Sequence, residues 1–86
     1  MKKSIRQYVI TNQMTDKYWT NTSFYGFGPN GKLFHATFTE DLTKAQIFTS
    51  LKRVKKTLKN LGSFYFVNSS EVAELTWAPI KITYEI

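Results

Sequence analysis

The 86-residue chain contains no cysteine, which excludes a disulfide framework and thiolate metal sites. A secreted domain this short without disulfides would be unusual, so the cytoplasm is the expected location. Histidine occurs once, as His35, whereas zinc catalytic sites draw on several ligands and a nucleophilic triad needs a positioned base. Acidic residues number six. Glu40 and Asp41 are adjacent and suit a helix start, Asp16 suits a turn, and Glu71 and Glu74 share a face only if their segment is helical. None of these forms the desolvated pair that general acid–base chemistry requires, so a non-catalytic protein without metal or cofactor is expected. No run of about 18 apolar residues occurs, so no membrane-spanning helix and no membrane partner are expected. Lys2 and Lys3 resemble the start of a signal peptide, but Gln7, Thr11, Asn12 and Gln13 interrupt the apolar stretch that should follow. Without export, the glycosylation patterns at Asn21-Thr22-Ser23 and Asn68-Ser69-Ser70 carry no meaning.

What is present is apolar and aromatic: 42% hydrophobic residues, with seven Phe, five Tyr and two Trp. That is enough for one hydrophobic core, and the length admits a single domain over residues 1–86. Twelve Lys and Arg give a net charge of +6. Such a charge favours polyanionic or acidic partners, nucleic acid among them, although solubility alone can explain it.

The patterning predicts an α+β fold: an antiparallel sheet of four to six strands with one main amphipathic basic helix packed on one face. Ile5 to Thr11 reads as a strand, and Tyr18-Trp19-Thr20 as its hairpin partner. Phe24 to Gly28 and Leu33 to Phe38 flank Pro29-Asn30-Gly31, where Pro presets φ and Asn-Gly tolerates positive φ, so a turn is expected. Thr39 is the expected cap of a short helical turn over Glu40–Ala45. Leu51, Val54, Leu58 and Leu61 recur at helical spacing behind Thr49 or Ser50 as N-cap, and Gly62 stands where a left-handed terminating residue belongs. Phe64 to Val67 reads as a strand, and Ile80, Ile82, Tyr84 and Ile86 alternate with polar residues in a terminal strand, with Pro79 at its start or on an edge. Glu71 to Trp77 carries no clear pattern.

Two glycine motifs give way to simpler readings. Gly26 to Gly31 matches G-x-G-x-x-G, yet the following segment is strand-like and Pro29 removes an amide donor, so a hairpin turn is expected. Gly26-Phe27-Gly28 also echoes the aromatic motif of RNA-recognition sheets, but Tyr25 replaces its basic residue and the element order differs. His35 is expected on a strand, facing solvent or bonding locally.

The strongest functional signal is Lys52, Arg53, Lys55, Lys56 and Lys59: five cations in eight positions, with no acid among them. On a helix, Lys52, Lys55, Lys56 and Lys59 fall opposite the leucine–valine stripe. Like charges four apart weaken an isolated helix by a few tenths of a kcal/mol each, roughly, and an anionic partner would turn that repulsion into affinity. The alternative is a solvated face that happens to be basic. Any of Tyr8, Tyr18, Trp19, Tyr25 and Phe27 left outside the core could add base stacking, and most of them are expected inside it.

Tyr8-Val9-Ile10-x-Asn12, Tyr18-Trp19, and Phe38-Thr39-x-Asp41-Leu42-x-x-Ala45-x-x-Phe48-x-Ser50 before a lysine-rich helix resemble small proteins encoded by phages and prophages of Gram-positive bacteria. The likeness covers about two thirds of the chain. The class includes inhibitors of host defence such as anti-CRISPR proteins. The resemblance implies non-catalytic binding in the host cytoplasm to nucleic acid or to a host nucleoprotein such as a Cas effector. It supplies no functional residues. A structural homo-oligomer, paired through the terminal strand, is a further alternative.

Overall fold

In the computed structural model, backbone is described for residues 2–85 and side chains for residues 5–81. The order of elements is β1 (Lys2–Asn12), β2 (Lys17–Gly28), β3 (Gly31–Thr39), a 3-10 turn (Leu42–Lys44), α1 (Leu51–Leu61), β4 (Tyr65–Phe66), α2 (Ser69–Val72) and β5 (Leu75–Glu85). The fold is α+β, about one sheet of five strands in the order β4-β3-β2-β1-β5. The sheet is mixed rather than antiparallel throughout, because β4 runs parallel to β3, pairing Tyr65 with Leu33 and Phe66 with Phe34. The chain reaches β4 after crossing the sheet in α1, which brings it back alongside β3 in the same direction.

β1 and β2 form the expected hairpin, but their ladder holds only at its closed end, where Thr11 faces Tyr18 and Asn12 faces Lys17. Beyond that point the strands part and residues 46–48 fill the gap. Gln46 N–H donates to the Trp19 carbonyl at 3.1 Å, and Tyr8 and Phe48 exchange two backbone hydrogen bonds of 2.8 Å each. The divided sheet makes an elongated body, with extents of 56 × 24 × 19 Å and a radius of gyration of 14.6 Å. A compact chain of this length would have a radius of about 12 Å.

The two runs read as separate strands at Tyr18–Thr20 and Phe24–Gly28 are one strand, β2, interrupted by irregularities between Trp19 and Asn21 and between Phe24 and Gly26. Each bulge inserts one unpaired residue and reverses the inward–outward phase. Residues three apart therefore share a face. Trp19 Nε1 donates to Thr22 Oγ1 at 3.0 Å, and the rings of Phe24 and Phe27 meet at 5.4 Å. The Pro29-Asn30 turn closes the hairpin as expected, with Gly28 opposite Gly31. Gly31 has φ +108°, which explains glycine there.

The core lies between the sheet and α1. Val54 and Leu61 from the helix are buried with Ile10, Trp19, Ala36 and Phe66 of the sheet. Phe48 stacks on Trp19 at 6.3 Å, and Tyr8 meets Trp77 edge-on at 5.9 Å. Such pairs add about 0.5–1.5 kcal/mol each beyond area burial.

Several local expectations are corrected. Ser50 precedes α1 but makes no side-chain cap bond, and Gly62 is right-handed (φ −67°), its N–H donating to the Leu58 carbonyl as the helical ladder continues. Asp41, not Thr39, caps the 3-10 turn, accepting from Thr43 N–H. Thr39 Oγ1 instead accepts from Asp41 N–H at 3.0 Å. The strand expected over Phe64–Val67 shortens to Tyr65–Phe66. Glu71 to Trp77 divides between α2 and the start of β5. The terminal strand is present, with Pro79 inside it on the sheet's edge rather than at its start. The alternation expected at Ile82, Tyr84 and Ile86 concerns side chains outside the described residues.

Two asparagines stitch the periphery. Asn12, 2% exposed, accepts from Met14 N–H at 2.9 Å and Thr15 N–H at 3.3 Å, and its amide donates to the Glu71 carbonyl. Asn68 donates to the Ala36 carbonyl at 2.7 Å and accepts from Ala36 N–H at 3.2 Å, so its side chain extends the β3–β4 ladder by one rung.

Candidate nucleic-acid interface

α1 lies against β1 and β5, with Val54 and Leu61 turned inward and Lys52, Arg53, Lys55, Lys56 and Lys59 all exposed. The five predicted site residues are thus brought onto the outer surface of one 11-residue element. They do not all point the same way. The Lys55 ammonium lies 5.5 Å from the centroid of Trp77 on β5, a cation–π contact of about 0.5–1 kcal/mol at an exposed site. Lys55 therefore leans over the sheet edge.

A second surface lies on the β2–β3 hairpin. Phe24, Tyr25 and Phe27 on β2 are 54%, 66% and 76% exposed. Phe24 packs on Phe34 at 6.1 Å, Phe34 on Phe64 at 4.7 Å, and Phe64 on the buried Phe66 at 6.1 Å. Lys32 stands directly across from Phe27. Tyr25 and Phe27 are two of the aromatics that the sequence offers for stacking, and Phe24 and Phe64 join them only in the structure. Of the other candidates, Trp19 is buried and Tyr8 and Tyr18 are half-buried. The signal that could have found Phe24 is its proximity to the tight Pro29-Asn30 turn, since the tip of a two-stranded hairpin has little to bury it.

Beside Phe64 an open pocket of about 470 Å³ runs between the end of α1, β4 and α2, lined mainly by Leu33, Leu61, Tyr65, Phe66 and Val72. A smaller one of about 280 Å³ is lined by Leu42, Thr43, Ile47, Ile80 and Lys81.

His35 sits exposed on β3 opposite Ser23. Among the described residues no group of three or more His, Asp or Glu is arranged to hold a metal ion, and no helix is long and apolar enough to cross a membrane. The Asp41 carboxyl is held below its ordinary value of 3.8, first by the hydrogen bond from the Thr43 hydroxyl, then by the Thr43 backbone N–H and the nearby Lys44 charge. That is the chemistry of a cap. No known protein family, curated protein or solved structure matches the chain.

Proposed function

We propose that the protein is a non-catalytic binder of nucleic acid, with the outward cations of α1 contacting the phosphate backbone. The observation that carries this reading is the arrangement of charge. All five cations of α1 are exposed, and the segment from Leu42 to Ser70 contains no acidic residue. A helix carrying repelling charges and no compensating carboxylate gains when phosphates neutralise it, because each neutralised phosphate releases condensed counterions. Contacts of this kind position the protein without reading bases, so binding is expected to be indifferent to sequence.

The test is a titration of labelled DNA and RNA at about 50 and about 200 mM salt. With four phosphates neutralised, the counterion-release slope predicts a loss of affinity of about 50- to 150-fold over that range. Reversing Lys52, Lys56 and Lys59 to Glu should abolish binding while the protein stays folded, since all three side chains are exposed. No binding at low salt, or affinity unchanged by the reversal, overturns the reading.

A further inference from the structure

We infer that the nucleic acid is taken as a single strand, its bases laid on the exposed rings of Phe27, Phe24 and Phe64 while its phosphates follow α1. This rests on the reading of α1 as the phosphate-binding surface and adds what the partner must look like.

The first observation is continuity. Phe64 follows the end of α1 by three residues, and from it the rings of Phe34, Phe24 and Phe27 succeed one another at 4.7, 6.1 and 5.4 Å. Cross-strand register puts Phe24 opposite Phe34 and Phe27 opposite Lys32. Phe34 packs against the core cluster that includes Val54 and Leu61 of α1, so the row lies on the helix-bearing side of the sheet. Lys59 stands near one end of the row in sequence, and Lys32 beside the other in space.

Packed rings back the exposed ones, which suits a stacking platform. Phe34 is half-buried and Phe66 buried, so the inner rings hold the outer ones in place. Phe27, 76% exposed, and Phe24, 54% exposed, keep much of their surface in water. Exposed rings clustered on a small protein mark an interaction surface rather than a random scatter.

Charge selects the occupant. The β2–β3 hairpin from Lys17 to Thr39 and the α1–β4 unit from Leu51 to Phe66 together contain seven Lys and Arg and no Asp or Glu. A surface of open aromatic rings, on segments that carry cations and no carboxylate, complements a polyanion that carries flat apolar rings of its own. Duplex nucleic acid meets half of that description, because its base faces are already stacked on one another. A single strand offers both phosphates and free base faces, and stacking on aromatic side chains tolerates any sequence.

The experiment compares a single-stranded oligonucleotide with the duplex of the same sequence at about 50 mM salt, using the wild-type chain, F27L, F24L/F27L and the Lys52, Lys56, Lys59 charge reversal. The single strand should bind at least about tenfold more tightly than the duplex. Each lost ring should weaken single-strand binding by about 5- to 150-fold and leave duplex binding unchanged. Phe27→Trp should retain affinity, and F27L, altering the most exposed of these rings, guards against a folding defect in the double variant. Equal affinity for both forms, unaffected by F27L but lost on charge reversal, overturns the single-strand inference and leaves the proposed function standing. Self-association that F27L abolishes, without any such strand preference, overturns it in favour of a second copy of the chain. Absence of binding to either form overturns both.

Discussion

Tyr8 and Phe48 exchange both of their backbone hydrogen bonds at 2.8 Å, and this fixes which way Pro79 faces on the other side of β1. The N–H and C=O of a strand residue point to the same side, so Tyr8 has nothing left to offer β5. Its cross-strand partner Pro79 therefore turns its nitrogen outward, to the free edge of the sheet. The amide that proline lacks is one that an added strand would need. Pro79→Thr restores that donor without disturbing the β1–β5 ladder. The variant should self-associate at concentrations where the wild-type chain does not, as measured by sedimentation velocity. Unchanged sedimentation would mean that the edge is protected by something other than the proline.

Asn12 should be among the most sensitive polar positions. It is 2% exposed, and its side chain serves the β1–β2 turn through Met14 and Thr15 and α2 through Glu71. Asn12→Leu leaves those backbone groups without partners and should destabilise the chain by about 1–3 kcal/mol. Asn12→Asp keeps the acceptor for the turn and loses the donor to Glu71, so it should fall between the two in urea denaturation. Wild-type stability in Asn12→Leu would show that the knot contributes nothing.

Gly31 tests the hairpin that carries the rings. At φ +108° a side chain is strained whatever space surrounds it, and none of the neighbouring atoms lies within 4 Å of an added Cβ. Gly31→Ala should therefore lower stability by roughly 1–3 kcal/mol through the backbone alone. The amide resonances of Phe24 to Lys32 should shift together. A thermal midpoint equal to that of the wild type would contradict the strain.

Asp41 gives a pH dependence of definite sign. Its folded carboxyl titrates below 3.8 because the Thr43 hydroxyl, the Thr43 N–H and the Lys44 charge favour the ionised form. The cap is thus fully effective above the ordinary carboxylate range and is lost as pH falls through the depressed folded value. The Thr43 amide resonance should move across that acidic window. Asp41→Asn, which keeps an acceptor and no charge, should remove the movement. Persistence of the transition in Asp41→Asn would assign it to another group.

Elements made from their own neighbours in the chain were legible in the sequence. The stripe from Leu51 to Leu61 specifies α1, and Pro29-Asn30-Gly31 specifies a hairpin, because helical period and turn chemistry act within a few residues. The exposure of Lys52, Arg53, Lys55, Lys56 and Lys59 follows from the same period. What depends on distant partners was decided only by the tertiary structure. β4 became parallel to β3 because α1 carries the chain across the sheet first. Gly62 stayed right-handed because its N–H continues the helical ladder to the Leu58 carbonyl. The row of rings on the hairpin arises because bulges shift the period of β2, placing Phe24 and Phe27 on one face where strict alternation would have set them on opposite sides. A bulge is a relation between two strands, and no single strand's pattern contains it.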